Sequence, residues 1–204
     1  MKKITAFLLL AGLCLTQACN NANNNKDSVD SAKAANSDKD TNGFNSNNDS
    51  LSTASSGTTM PVDKDVADFA VKAASGGMEE VQLGQLAQQK ASSQRVKDFG
   101  SMMVQDHSAA NDELKRLASS KNITLPTSVS NDQQDDINDL SKKSGTDFDK
   151  AYMKMMVNDH EKDIKEFEKA GNNLKDADVK NFAMKTLPTL QKHLDSAKAI
   201  TGKK

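Results

Sequence analysis

The chain has 204 residues, of which 36% are hydrophobic, 27% charged and only 4% aromatic, and its formal net charge is −1 at pH 7. A balance this close to neutral, with no basic stripe, gives no hint of a nucleic-acid partner, and none is expected. The longest apolar run is shorter than the roughly 20 residues a membrane-spanning helix needs.

Residues 1–18 read as a signal peptide. Met1-Lys2-Lys3 precedes an apolar run over residues 4–15, broken only by Thr5, which is the charged start and short apolar stretch of a secretory signal. The next residues, Leu15-Thr16-Gln17-Ala18-Cys19, place a small residue directly before a cysteine and resemble a bacterial lipobox, although Gln17 stands where a small residue is usual. The resemblance implies cleavage after Ala18 and lipidation of Cys19. The alternative is an ordinary secreted protein with Cys19 free. The only other cysteine is Cys14, inside the signal, so the mature domain is expected to carry no disulfide. Asn20 follows the cysteine in place of the Asp that favours inner-membrane retention. The expected location is therefore the cell envelope, lipid-anchored in the outer membrane and facing the periplasm rather than the inner membrane.

Residues 19–60 read as the lipidated cysteine followed by a disordered polar tether. Asn, Asp, Ser, Lys, Ala and Thr dominate, and only Val29, Phe44 and Leu51 can seek a core. Such a segment buries too little apolar surface to offset its ordering entropy.

From residue 61 to 204 apolar residues recur at intervals of three and four, the helical period. The pattern predicts long helices over residues 65–90, 93–120, 147–170 and 176–200, and a short one over 131–143. Val66, Phe69, Ala73, Glu80, Leu83 and Ala87 share a face of the first. Gly76-Gly77 inside it predicts a kink or a close helix approach. Ser92-Ser93 is expected to cap the second helix, Gly171-Asn172-Asn173 to end the third long one, and Pro188 to kink the last. Short joints favour antiparallel neighbours, so the expected fold is an all-α four-helix bundle with an extra short helix in the middle connection.

A repeat lies across these helices. Met102-Met103-Val104-Gln105-Asp106-His107 matches Met155-Met156-Val157-Asn158-Asp159-His160 at an offset of 53 residues. The match extends to Phe99 against Tyr152 and to Glu113-Leu114 against Glu166-Phe167. Duplication of a helical hairpin with pseudo-two-fold symmetry explains it, and so does a shared packing requirement. The chain has three histidines, His107, His160 and His193, all near apolar stripes, and Glu80 interrupts the apolar face of the first helix. Inward carboxylates and imidazoles need partners, because isolated buried charges are costly.

Four stretches carry a resemblance. They are Gly76-Gly77-Met78-Glu79-Glu80-Val81-Gln82-Leu83-Gly84, Met103-Val104-Gln105-Asp106-His107, Met156-Val157-Asn158-Asp159-His160-Glu161, and Thr186-Leu187-Pro188-Thr189-Leu190-Gln191-Lys192-His193-Leu194. With them the chain resembles the bacterial family named domain of unknown function 4142. The resemblance implies an exported, ferritin-like four-helix bundle and no particular activity.

The residues leave several chemistries open. Ferritin-like bundles often hold two metals through Glu-x-x-His pairs, but Val104, Val157 and Leu190 stand three residues before the histidines, which argues against a di-iron carboxylate site. Met103 and Met156 stand four residues before His107 and His160, on the same helix face, and thioether with imidazole suits copper. A mixed site of Glu80, His107, His160 and His193 suits zinc, iron or another transition metal. The bland reading is a polar network in which Asp106 and Asp159 orient histidines or cap neighbours. Asp112, Glu113, Glu161, Asp163 and Glu166 read as a solvated helix face. No hydrolase, redox, phosphate-binding or haem-attachment motif occurs, so an enzyme is the less favoured class. Two functions remain: a metal-binding envelope bundle, and a non-catalytic envelope structural or protein-interaction module without metal.

Overall fold

The computed structural model describes residues 26–39 and 61–202. The signal peptide, Cys19 and most of the tether lie outside these residues. Among the described residues are six helices: α1 (Ser28–Ser37), α2 (Lys64–Lys90), α3 (Gln94–Ser120), α4 (Asn131–Ser141), α5 (Gly145–Asn173) and α6 (Ala177–Thr201). No described helix is long and apolar enough to cross a membrane.

The four long helices bury two apolar clusters at different heights. One gathers Leu83, Phe99, Met103, Phe148, Tyr152, Met156 and Leu194. The other gathers Val66, Phe69, Leu114, Phe167, Phe182 and Leu190. Burying each large side chain of this kind contributes about 1.5–3 kcal/mol. Read along the chain, α2 and α6 run from the second cluster to the first, while α3 and α5 run the other way. The topology is therefore up-down-down-up. α2 packs on α3 and α5 on α6, and the two hairpins meet through α3–α6 and α2–α5. The parallel pair α3 and α5 lies on a diagonal, joined by the crossover that holds α4. This short helix is closed by a capping box between Ser130 and Gln133 and adds Ile137 and Leu140 to the first cluster.

Glycines set the closest approach. A Cβ on Gly84 would lie 2.7 Å from the Gly100 carbonyl oxygen, and one on Gly100 would lie 2.7 Å from Ala87 Cβ. Gly77 makes room for Asn111, while a Cβ on Gly76 would meet nothing within 4 Å. Gly171 does not end α5 as expected. It lies inside the helix, with Met184 Cγ 2.8 Å from where its Cβ would be, so its small size serves packing against α6. α6 continues through Pro188.

Two local expectations are corrected by tertiary contacts. Ser93 occupies the N-cap of α3 without a side-chain cap. Asp149 of α5 instead ties down the turn before α3, accepting from the Ser92 and Ser93 amides at 3.0 and 2.9 Å. The tether reading also fails over residues 28–37, which form α1. Asp27 caps α1 and accepts from the Asn131 amide at the start of α4, at 2.7 Å. Asn36 is buried; its side chain donates to the Thr124 carbonyl at 2.8 Å and accepts from the Thr124 amide at 2.7 Å. Polar side chains, with little apolar area, dock this helix, which is why composition alone missed it.

Candidate metal centre

Between the two apolar clusters each long helix contributes one polar side chain: Glu80 from α2, His107 from α3, His160 from α5 and His193 from α6. All four are buried, His160 and His193 completely. The six-residue repeat brings His107 and His160 across the diagonal, with ring centroids 5.7 Å apart. His193 is 5.1 Å from His107 and 5.3 Å from His160 by the same measure. One ligand nitrogen from each of the three rings lies within 4.8 Å of the others, so the three buried histidines can form a metal site.

The repeat also shares a burial pattern. Met103 and Met156 are buried, Gln105 and Asn158 exposed, and Asp106 and Asp159 half-buried. Downstream, Glu113 of α3 pairs with Lys185 of α6 at 2.9 Å, and Glu166 of α5 with Lys72 of α2 at 3.0 Å. A pseudo-two-fold axis therefore exchanges α3 with α5 and α2 with α6. Simple duplication of the α2–α3 hairpin would instead relate α2 to α5, so the symmetry belongs to the bundle's diagonals.

Hydrogen bonds fix which ring nitrogens face inward. His160 Nδ1 lies 2.9 Å from the Met156 carbonyl oxygen, which only accepts, so this nitrogen carries the proton. His193 Nε2 donates to Asp106 at 2.9 Å. These partners leave two lone pairs, on His160 Nε2 and His193 Nδ1, facing each other at 3.2 Å. Burial pushes His193 down to about 4, against the upward pull of Asp106, and lowers His160 as well, against the charge of Glu80. Protons are therefore poor occupants of the space between the rings near neutral pH.

Glu80 completes the layer. Its Oε2 lies 2.8 Å from His107 Nδ1, and its Oε1 lies 3.5 Å from His160 Nε2. Burial opposes its charge, but His107, its hydrogen-bond partner and the strongest opposing influence, leads the interactions that outweigh burial and hold its carboxyl below the usual range. Glu80 Oε1 and His107 Nε2 are buried with no hydrogen-bond partner. Such orphaned atoms are costly. A cavity of about 30 Å³ is lined by both residues, large enough for a water or one comparably small ligand.

The family model described as Domain of unknown function (DUF4142) matches residues 51–200. The chain belongs to this family. No curated protein and no solved structure matches it.

In this DUF4142 chain the expected site residues divide by position. Glu80, His107, His160 and His193 converge. Met103 and Met156 belong to the apolar cluster beside them, and Met156 serves His160 through its carbonyl oxygen. Asp106 orients His193, whereas Asp159 accepts from Lys162 at 3.1 Å. Cys19 lies outside the described residues.

One carboxylate was misread as part of a solvated face. Asp163 is half-buried, and burial, reinforced by the charges of Glu80 and Asp159, raises it to about 9. Its place three residues after His160 puts it on the histidine side of α5, a signal the sequence does carry. Glu79, raised to about 7 by burial and then by Asp159, was also missed. Tyr152 presents a buried hydroxyl with no partner.

Proposed function

We propose that the domain binds one transition-metal ion through His107, His160, His193 and Glu80. The observation that carries this reading is the pair of inward lone pairs, on His160 Nε2 and His193 Nδ1, whose opposite ring nitrogens are already committed to acceptors. A cation between them removes the repulsion, and the orphaned Glu80 Oε1 supplies a negative ligand beside it. Asp106 and the Met156 carbonyl play the part outer partners play around metal-bound histidines, fixing tautomer and ring orientation. Three imidazoles and a carboxylate suit zinc, iron or copper(II). The apolar surroundings of Met103 and Met156 weigh against thioether ligation, hence against a copper(I) preference.

Elemental analysis of the tag-free protein, before and after loading with zinc, tests the reading. One ion per chain is expected, lost in His160→Ala. Absence of bound metal after loading, with unchanged thermal stability, would overturn it. The second reading, a structural or protein-interaction module without metal, draws on the His107–Glu80 and His193–Asp106 pairs, which can hold the helices as a polar network.

The single crossover between α3 and α5 supports the ferritin-like reading, since ferritin-like bundles have one such connection. With it we propose export and lipidation at Cys19, holding the centre in the envelope. Radiolabelled fatty acid incorporation, abolished in Cys19→Ala, is the expected result.

A further inference from the structure

A cleft of about 370 Å³ opens between α2, α4 and α5, beside Val29 of α1. Its walls carry Glu79, Asp136, Asp159, Asp163 and Glu166, and Glu80 also lines it. Two lysines stand among them, each already engaged: Lys162 with Asp159 at 3.1 Å, and Lys72 with Glu166 at 3.0 Å. Glu79, Asp136 and Asp163 line the cleft with neither lysine paired to them.

A group of acids alone would be an ordinary polar surface. The distinguishing feature is Glu80, a buried carboxylate whose Oε1 has no hydrogen-bond partner. It lines both this cleft and the small cavity shared with His107. The same side chain thus meets solvent-connected space on one side and the imidazole layer on the other. The groove between α3 and α6, by contrast, mixes Glu113 and Asp178 with Arg116 and Lys185.

We propose that this acidic cleft is the port through which a hydrated divalent cation reaches the histidine layer, with Glu80 receiving it from the cleft carboxylates. The proposal rests on the metal-binding reading and adds a route to it. Clefts lined by one sign of charge concentrate counter-ions and raise association rates by about 10–1,000-fold, an effect that falls with ionic strength.

Stopped-flow mixing of the full chain with Co²⁺, followed by the visible absorption of the bound ion, tests it. Wild-type loading is expected to slow as salt rises. Asp136→Lys, at an exposed position on α4, is expected to load about tenfold more slowly and to lose that salt dependence. Glu113→Lys makes the same charge change on the opposite flank and should load at the wild-type rate. If Asp136→Lys binds one Co²⁺ per chain as fast as wild type, the port is wrong while the metal centre stands. If wild type itself binds no Co²⁺, the metal reading falls and takes the port with it.

Discussion

His107 and His160 occupy equivalent positions in a six-residue repeat, and their rings meet edge to face, 5.7 Å apart, across the diagonal of the bundle. The remaining diagonal supplies Glu80 and His193. Every long helix therefore contributes one ligand candidate at the same height, where an all-apolar layer would otherwise continue.

The orienting role of Asp106 gives a prediction that spares the four inward side chains. Asp106→Ala leaves them in place but frees His193 Nε2 from its acceptor. Metal affinity is expected to fall by about 10–100-fold, with the folded state retained. Isothermal titration with Zn²⁺ reads the change; unaltered affinity would show that Asp106 does not support a ligand.

Stability of the metal-free protein should respond to pH in two opposing ways. His193 is held near 4 when folded, below its ordinary value of 6.5. The unfolded chain binds more protons between those values, so this group makes stability fall as pH drops from about 6.5 towards 4. Asp163 is raised from 3.8 to about 9. Here the folded chain binds more protons, so stability falls as pH rises from about 4 towards 9. Asp163→Asn removes the second dependence. In chelator, its urea midpoint should exceed wild type at pH 8 and converge with it near pH 4. A constant offset at all pH values would contradict this assignment.

The glycines separate by what surrounds them. Gly84→Ala and Gly100→Ala force α2 and α3 apart and are expected to cost about 1–3 kcal/mol each. Gly76→Ala places its methyl in open space within a helix and is expected to stabilise by about 0.5–1 kcal/mol. Denaturant unfolding of the three variants should give opposite signs.

Asn36→Ala removes both hydrogen bonds to Thr124. Amide exchange in α1 should accelerate strongly, with α2, α3, α5 and α6 unchanged. Equal acceleration in the long helices would mean that α1 is integral to the bundle rather than docked on it.

The long helices were legible because their apolar spacing has one structural solution, and their expected limits agree with α2, α3, α5 and α6 to within about three residues. The histidine repeat was legible for the same reason: a residue type so rare in this chain, at a constant offset, stands out. Asp163 was not, because spacing places it on the histidine side of α5 without saying whether α4 and α2 leave it in water. The docking of α1 was not either, since it relies on polar side chains, Asp27 and Asn36 among them, that reach groups far along the chain.

By itself the sequence determined a helical bundle and the four side chains that interrupt its apolar faces, because periodicity is a local property of the chain. Tertiary structure decided that those side chains meet, which nitrogens point inward, and that Asp149 ties down the turn before α3 where the Ser93 side chain makes no cap. Tautomer, burial and mutual distance depend on the partner each atom finds on another helix, and no spacing along one strand of sequence encodes that partner.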